Sequence, residues 1–293
     1  MTITIFTPTY NRASLLPALY QSLLEQDNHN FEWIVGDDGS NDGTEALIRS
    51  YQLEGKIKIR YFTQANAGKH IAFNNGLRMA DTPLFLNLDS DDKLLPDAVG
   101  NILEQWEMLQ EHADLDSFAG MAGNKIYSDG SPVGTKPTYD VLDTTIIDFR
   151  FTRGIQGDKM EIFRTAVLKE FLFPENGERF CPEALVWNRI GSKYKFRFFN
   201  KALYQGDYLA GGLSEKIVAI RKKSPNNSAT YYAELSQYDI PAVQKIKAGI
   251  NYWRFAVYDH TMAFPKKLTR MNPLLSFVTL PIGLLFALKD RNK

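Results

Sequence analysis

Within the first 127 residues, short apolar runs of strand type alternate with helix-period segments, and four of the runs end in a polar cluster. Thr2–Thr7 (TITIFT) is β-branched and stops at Pro8, and Phe31–Gly36 is apolar up to Asp37-Asp38-Gly39-Ser40. Ile57–Phe62 alternates as a strand does, and Leu84–Leu88 is a short buried run that ends in acids. Between them, Leu15–Gln26, Gly43–Leu53 (with Asp42 as its cap) and Lys69–Met79 carry apolar residues at helical spacing. A helix over Pro96–Gln110 and a strand over Ala119–Tyr127 follow. Strand, helix and strand in this rhythm predict βαβ units and a mostly parallel sheet with helices on both faces. In such sheets ligands bind beyond the carboxyl ends of the strands. The polar clusters Thr7–Arg12, Asp37–Asp42, Thr63–His70 and Asp89–Asp92 all fall at those ends. One cluster would be an ordinary loop; four converging on one edge predict a site.

The rest of the chain is less regular. Residues 128–160 are rich in turn formers and predict irregular loops on the acceptor side. Residues 161–172 and 183–191 read as helices and Lys195–Phe199 as a strand. The glycines of Gln205–Pro225 predict a mobile loop. Tyr231–Thr261 is amphipathic and helical, interrupted at Pro241.

Charge excludes one class of function: 34 basic against 34 acidic residues leave no excess for neutralising a nucleic-acid backbone. A single cysteine, Cys181, rules out a disulfide framework within the chain and reads as a buried, inert thiol in a reducing compartment. The N-terminus has no basic leader and reads as a strand from its second residue, so a cytoplasmic location is expected. Pro273–Leu288 carries no charge, yet as a straight helix it would span only about 24 Å, short of the ~30 Å hydrocarbon core. With basic residues on both flanks, it is expected to lie in or on the cytoplasmic membrane face, or to pack on protein, rather than to cross.

The acids of Asp89-Ser90-Asp91-Asp92 follow a buried strand, where carboxylates are costly unless something positive answers them. Asp89 and Asp91, two apart across a turn, can aim at one point and suit a hard divalent cation, Mn²⁺ or Mg²⁺, which takes oxygen ligands and shares them with phosphate. Such a metal would offset a diphosphate's charge. The stretch Val35–Thr44 combines glycines with Asp38, whose carboxylate can bond a base or a ribose. Thr7, Pro8, Thr9, Tyr10 and Arg12 offer a backbone shelf, a ring for stacking and a cation. Lys69 opens a helix, where its charge and the helix N-terminus both favour phosphate; His70 beside it can equally be a helix-start residue with no chemical task.

These blocks, TPTYNR, DDGSNDGT, NAGKHIAFNNGL and LDSDDKLLPD, in this order from Thr4 to about Asp97, resemble the family 2 glycosyltransferases of GT-A (Rossmann-like) fold. A later stretch, Gly177–Trp187, is similar to the family's segment in which an acid lies four residues before a tryptophan at a helix start. The resemblance implies a GT-A domain over 1–215, with a nucleotide-sugar half (1–127) and an acceptor half (128–215), before a helical extension over 216–293 with its apolar tail 273–288.

It further implies an inverting, metal-dependent transfer of a hexose-type sugar from a nucleotide sugar, a UDP-sugar by family habit, to a glycan or lipid-linked acceptor in polysaccharide or cell-surface glycan synthesis. Carried over residue by residue, Thr9 and Asp38 would hold the nucleoside, with Pro8, Tyr10 and Arg12 near the base. Lys69 would face the diphosphate, Asp91 would bind the metal, and Asp89 would take the ribose or the metal's shell. Glu183 would be the base. The family's Glu-Asp pair is here Pro182-Glu183, which keeps Glu178 as a competitor. Trp187, one turn beyond Glu183, would line the acceptor site or belong to the core. Two other classes are a nucleotidyltransferase, for which the basic Gly-rich loop after the first strand is missing, and a non-catalytic nucleotide-sugar binding protein, which would not need both an acidic cluster and a base.

Overall fold

Strand β1 (Ile3–Thr9) is wholly buried and pairs in parallel with β2 (Phe31–Asp37) on one side and β4 (Leu84–Asn87) on the other; β3 (Ile59–Thr63) extends the parallel array beyond β2. Between these strands run α1 (Leu16–Leu24), α2 (Thr44–Glu54) and α3 (Lys69–Met79). The computed structural model describes residues 1–207 and 216–290 of the chain. The chain divides into two compact units, one of residues 1–145, 155–172 and 193–207 and the other of 146–154, 173–192 and 208–293.

The first unit holds the whole sheet, in the order β3-β2-β1-β4-β8-β6-β9-β5 with β7 pairing off β9. The strands beyond β4 are β5 (Lys93–Leu94), β6 (Phe118–Ile126), β7 (Val141–Thr144), β8 (Lys159–Arg164) and β9 (Lys195–Gln205). Parallel pairing is confined to β3-β2-β1-β4 and to β6 with β9; β8 runs antiparallel to both β4 and β6. The sheet is therefore parallel where the nucleotide-type motifs lie and mixed beyond them.

Two glycines let this layer close. A Cβ on Gly76 of α3 would meet the Phe6 ring at 2.2 Å, and one on Gly36 would meet the same ring at 2.9 Å. Phe6 thus fits between β2 and α3, stacked on Phe85 at 5.7 Å between ring centres. The other face of the sheet buries Ile3, Ile5, Trp33 and Leu86 against Leu19 and Leu23 of α1 and Ile102 of α4 (Ala98–Gln110).

Several local expectations shift. Residues 161–172 were expected to be helical, but Lys159–Arg164 inserts between β4 and β6 as a strand and only Thr165–Leu168 (α5) turns helical. Met160, Ile162 and Phe163 are all buried, as befits a strand inside the sheet, and tertiary pairing overrides the weak helical spacing. The cap of α2 is Gly43 in a left-handed conformation (φ 89°), not Asp42. Asp42 stands one residue earlier and still accepts from the Thr44 backbone N–H at 3.2 Å. Within the expected mobile loop 205–225, residues 208–215 lie outside the described residues, and Ile217–Lys223 forms a helix, α7.

The second unit is helical: α6 (Glu183–Gly191), α7, α8 (Pro225–Leu235), α9 (Ala242–Ala256), α10 (Phe264–Leu268) and α11 (Pro273–Lys289). Its core gathers Ala229, Ala233, Tyr252, Trp253 and Ala256. α8 ends at Leu235, and Pro241, with no N–H and a fixed φ, stands at the N-cap of α9.

Candidate active site

Because β3, β2, β1 and β4 are parallel neighbours, Thr63, Asp37, Thr9 and Asn87 end on one edge of the sheet. The chain moves outward from β1 to β2 and β3, then returns to the other side of β1 for β4, so the order reverses at β1/β4 and a crevice forms at that switch. Two ion pairs flank it. Arg12, from the loop after β1, meets Asp91 at 2.9 Å and donates to Ser90 Oγ at 3.4 Å. Lys69, the first residue of α3, meets Asp89 at 2.7 Å, and Asn87 Nδ2 donates to Asp89 Oδ1 at 2.8 Å. Burial alone would raise the Asp89 carboxyl, but the Lys69 ammonium and the bonds from Lys69 and Asn87 outweigh it and hold the group below the ordinary carboxylate range.

The third acid, Asp92, turns inward to Lys125 at 3.0 Å. Burial pushes its carboxyl up to about 6, Asp89 and Asp91 adding to the rise against the pull of Lys125. A Cβ on Gly206 would lie 1.7 Å from Asp92 Oδ1, so any side chain there would have to displace the Asp92 carboxylate from this pair. Lys125 and Asn87 are not marked by the sequence motifs. The legible signal for Lys125 was a lysine at the end of an otherwise apolar strand, which needs an acid partner once buried.

The turn after β2 is built by its own acids. Asp37 accepts from the Ser40 backbone at 2.8 Å and from the Tyr61 hydroxyl at 2.8 Å. Asp38 accepts at 2.8 Å from Gln64 Nε2 and from the backbone N–H groups of Ala67 and Gly68. Its carboxylate thus fastens the β2 turn to the loop that leads into α3, and three of its roughly four acceptor positions are filled. Thr9 and Thr7 part company. The Thr7 hydroxyl accepts from the Trp33 ring N–H at 2.9 Å inside the core, whereas Thr9 Oγ1 is buried at the sheet edge with no hydrogen-bond partner among the described residues. Pro8 is buried, and Tyr10 is half exposed (49%), its ring open for stacking. The neighbouring Asn11 has φ 51°, a left-handed turn that its side chain secures by accepting from the Asn41 backbone at 2.8 Å.

Among the described residues no group of three or more His, Cys, Asp or Glu side chains forms a protein-only metal cage. Asp89 and Asp91 nonetheless suit a hard cation that takes its other ligands from phosphate and water. Both are partly exposed, both are oxygen donors already answering positive charge, and Asn87 Oδ1 beside them is buried without a hydrogen-bond partner among the described residues.

The remaining marked residues lie in the second unit. Glu183 is the first residue of α6 and exposed. Trp187, one turn on, is partly exposed and packs edge-on against Phe173, with ring centres 5.7 Å apart. Glu178 accepts from the backbone N–H groups of Asn226 at 2.8 Å and Asn227 at 2.7 Å, the first turn of α8. Burial raises its carboxyl above the ordinary range even against those two bonds. A raised carboxyl often marks catalysis; here the two bonds give it a structural task, satisfying helix N–H groups that have no partner within α8.

Cys181 is buried, and burial pushes its thiol up to about 12. Native protein should therefore resist alkylation throughout pH 7–9.5, with full labelling only in denaturant. The same shift makes stability fall as pH rises from the ordinary thiol range, about 8.5, towards 12, because only the unfolded thiol ionises there.

The profile of glycosyl transferase family 2 matches residues 4–146, just under half of the chain. A Campylobacter jejuni GalNAc(5)-diNAcBac-PP-undecaprenol beta-1,3-glucosyltransferase is 26% identical over 202 residues, 68% of this chain and 62% of that protein. A putative teichuronic acid biosynthesis glycosyltransferase of Bacillus subtilis, TuaG, is 31% identical over 153 residues, 50% of this chain and 58% of that protein. The chain thus spans about three fifths of the length of these two relatives. Among solved structures, S. aureus TarS 1–349 in complex with UDP superposes with a TM-score of 0.62 at 19% identity, covering 100% of this chain and 92% of that one. The mannosyltransferase PcManGT of Pyrobaculum calidifontis, in complex with GDP-Man and Mn²⁺, gives 0.60 at 17% identity over 98% and 86%. At such identities the structures show a shared fold, that of the GT-A glycosyltransferases. The chain thus resembles glycosyl transferase family 2 in sequence over residues 4–146 and shares the fold of the GT-A glycosyltransferases along its length.

Proposed function

We propose that the chain transfers a sugar from a nucleotide-sugar donor, a UDP-sugar, to an acceptor hydroxyl with inversion at the anomeric carbon. The observation that carries this is the meeting of Arg12–Asp91 and Lys69–Asp89 at the β1/β4 switch, at the sheet edge where the Thr9 hydroxyl is buried with no hydrogen-bond partner among the described residues. A diphosphate needs positive charge, a ribose needs acceptors, and a base needs a ring to stack on. Lys69 and Arg12, Asp89, and Tyr10 supply these in turn.

Asp91 and Asp89 would hold Mn²⁺ or Mg²⁺, which supplies charge neutralisation for the leaving diphosphate. Lys69, at the N-terminus of α3, would bind the same diphosphate with the helix's favourable dipole behind it. Thr9 and the last acceptor position of Asp38 would orient the nucleoside. In the second unit, Glu183 would take the acceptor proton as the hydroxyl attacks; one base suffices for a single inverting displacement. What favours Glu183 over Glu178 is that both Glu178 oxygens are engaged by α8. Trp187 would offer its exposed edge to the acceptor. The acceptor we propose is a glycan, carried on a lipid diphosphate as the name of the Campylobacter relative describes for that enzyme.

A nucleotide panel on the melting temperature tests the donor site. Ligand at a hundredfold its Kd stabilises by about 2.7 kcal/mol, so UDP with Mn²⁺ should raise Tm by several degrees. Asp91→Ala should abolish the metal-dependent part of that rise. Equal stabilisation of wild type and Asp91→Ala would remove Asp91 from the site, and no shift with any nucleotide would remove the donor site itself.

A further inference from the structure

Helix α11 is built inside out. Toward α9 it buries Ser276, Thr279, Gly283 and Ala287, small or hydroxylated residues. A Cβ on Gly283 would fall 2.4 Å from Trp253 Cβ and 2.7 Å from Ile250 O, and one on Gly249 of α9 would fall 2.7 Å from Thr279 Oγ1, so the two backbones run unusually close. Trp253 Nε1 donates to Ser276 O at 2.8 Å and the Tyr258 hydroxyl to Ala287 O at 2.8 Å, tying both halves of α11 to its neighbour. Arg254 and Asp290 close the end with a 2.5 Å ion pair. The helix is therefore firmly held, and its opposite face is left outward.

That outward face is a stripe at helical spacing: Leu274, Phe277, Val278, Leu285 and Leu288, with Leu274 74%, Phe277 71% and Leu285 66% exposed. A helix on a water-facing surface puts its apolar stripe inward and its polar residues outward. Small residues at the helix contact and large apolar ones outward is the arrangement of helices surrounded by lipid. Among the described residues no helix is long and apolar enough to cross a membrane, so the face suits insertion in the plane of the interface.

Charge selects the occupant. Residues 264–293 carry six basic residues against one acid in a chain whose total charge is zero. Lys289 is exposed at the last residue of α11, and α10, which packs on α11, carries exposed Lys266 and Phe264, the latter 55% exposed. A second copy laid along α11, in either direction, would set basic ends against basic ends; anionic headgroups would neutralise them. We infer that the outer face of α11 docks the chain on an anionic lipid surface, inserted parallel to it. This deepens the lipid-linked reading of the acceptor, but the contact itself needs no catalysis.

Vesicle flotation of the full chain tests it, with phosphatidylglycerol–phosphatidylethanolamine vesicles against pure phosphatidylcholine. Wild type should float with the anionic vesicles. Phe277→Ser/Leu285→Ser should lose at least tenfold of that binding with an unchanged Tm and UDP shift, since both side chains are exposed. Lys266→Glu/Lys289→Glu should lose most of the preference for anionic lipid. Flotation equal to wild type in the apolar double variant overturns the inference. So does a wild type that ignores vesicles, and above all one that sediments as a dimer which the same double variant makes monomeric. A normal UDP shift beside any of these results would leave the transferase reading standing.

Discussion

Glu183→Gln is expected to lower kcat for sugar transfer by about 10²–10⁴, the range a positioned general base contributes, while the UDP-induced rise in Tm stays at its wild-type value. Glutamine keeps the size and one acceptor oxygen but cannot hold a proton, so the loss belongs to chemistry and not to shape. Glu178→Gln makes the contrast. Its carboxylate holds the Asn226 and Asn227 N–H groups at the start of α8, and glutamine can serve only one of them well. Bonds to charged groups are worth about 1.5–3 kcal/mol, so this variant should lose roughly 1–2 kcal/mol of stability and keep kcat within a few-fold. Steady-state kinetics on both, beside urea unfolding, separates the roles. If Glu178→Gln is the one that loses kcat with stability intact, the assignment of the base is reversed.

The parallel half of the sheet was legible because each strand ends in residues that cannot continue it. Pro8 follows β1's TITIFT run, and Asp37 and Asp89 close apolar runs whose partners lie at the same edge. Helices α3 and α6 begin where predicted, at Lys69 and Glu183, because Gly68 and Pro182 mark the entry. β8 was not legible, since KMEIFR acquires strand character only from its place between β4 and β6. In the site, the motifs gave the residues but not their partners. Nothing in DDGS says that Asp38 fastens the Ala67–Gly68 loop, or that Thr7 and Thr9, two apart on one strand, divide between core and edge. Those assignments depend on what lies opposite, which only the sheet order supplies. The apolar tail was visible in the sequence as uncharged, but which of its faces is covered is set by Gly249 and Gly283, far apart in the chain and together at the α9–α11 contact.

The largest stability effect is expected at a residue with no chemical role. Gly120 lies on β6 between β8 and β9, and a Cβ there would fall 2.0 Å from the Ile162 carbonyl oxygen and 2.9 Å from Phe163 Cα. Both are backbone atoms of the adjacent strand, so no rotamer can relieve the contact; β6 and β8 must separate or β6 must shift its register. Gly120→Ala should therefore cost about 3 kcal/mol, the upper end of what overpacking costs, and shift the urea midpoint down with the slope unchanged. Gly130→Ala is the control. Its φ of 83° is left-handed, but nothing lies within 4 Å of the added Cβ, so only backbone strain remains, roughly 1–2 kcal/mol. Gly120 (φ 157°) carries a backbone penalty of its own, and the excess of its loss over that of Gly130 reports the closeness of β6 to β8. It also reaches the site, because β6 carries Lys125 to its 3.0 Å contact with Asp92. A β6 that slides must draw Lys125 with it, so Gly120→Ala protein kept folded at low temperature should show a weakened UDP shift. Equal losses for the two variants would mean that β8 does not press on β6 as its register requires.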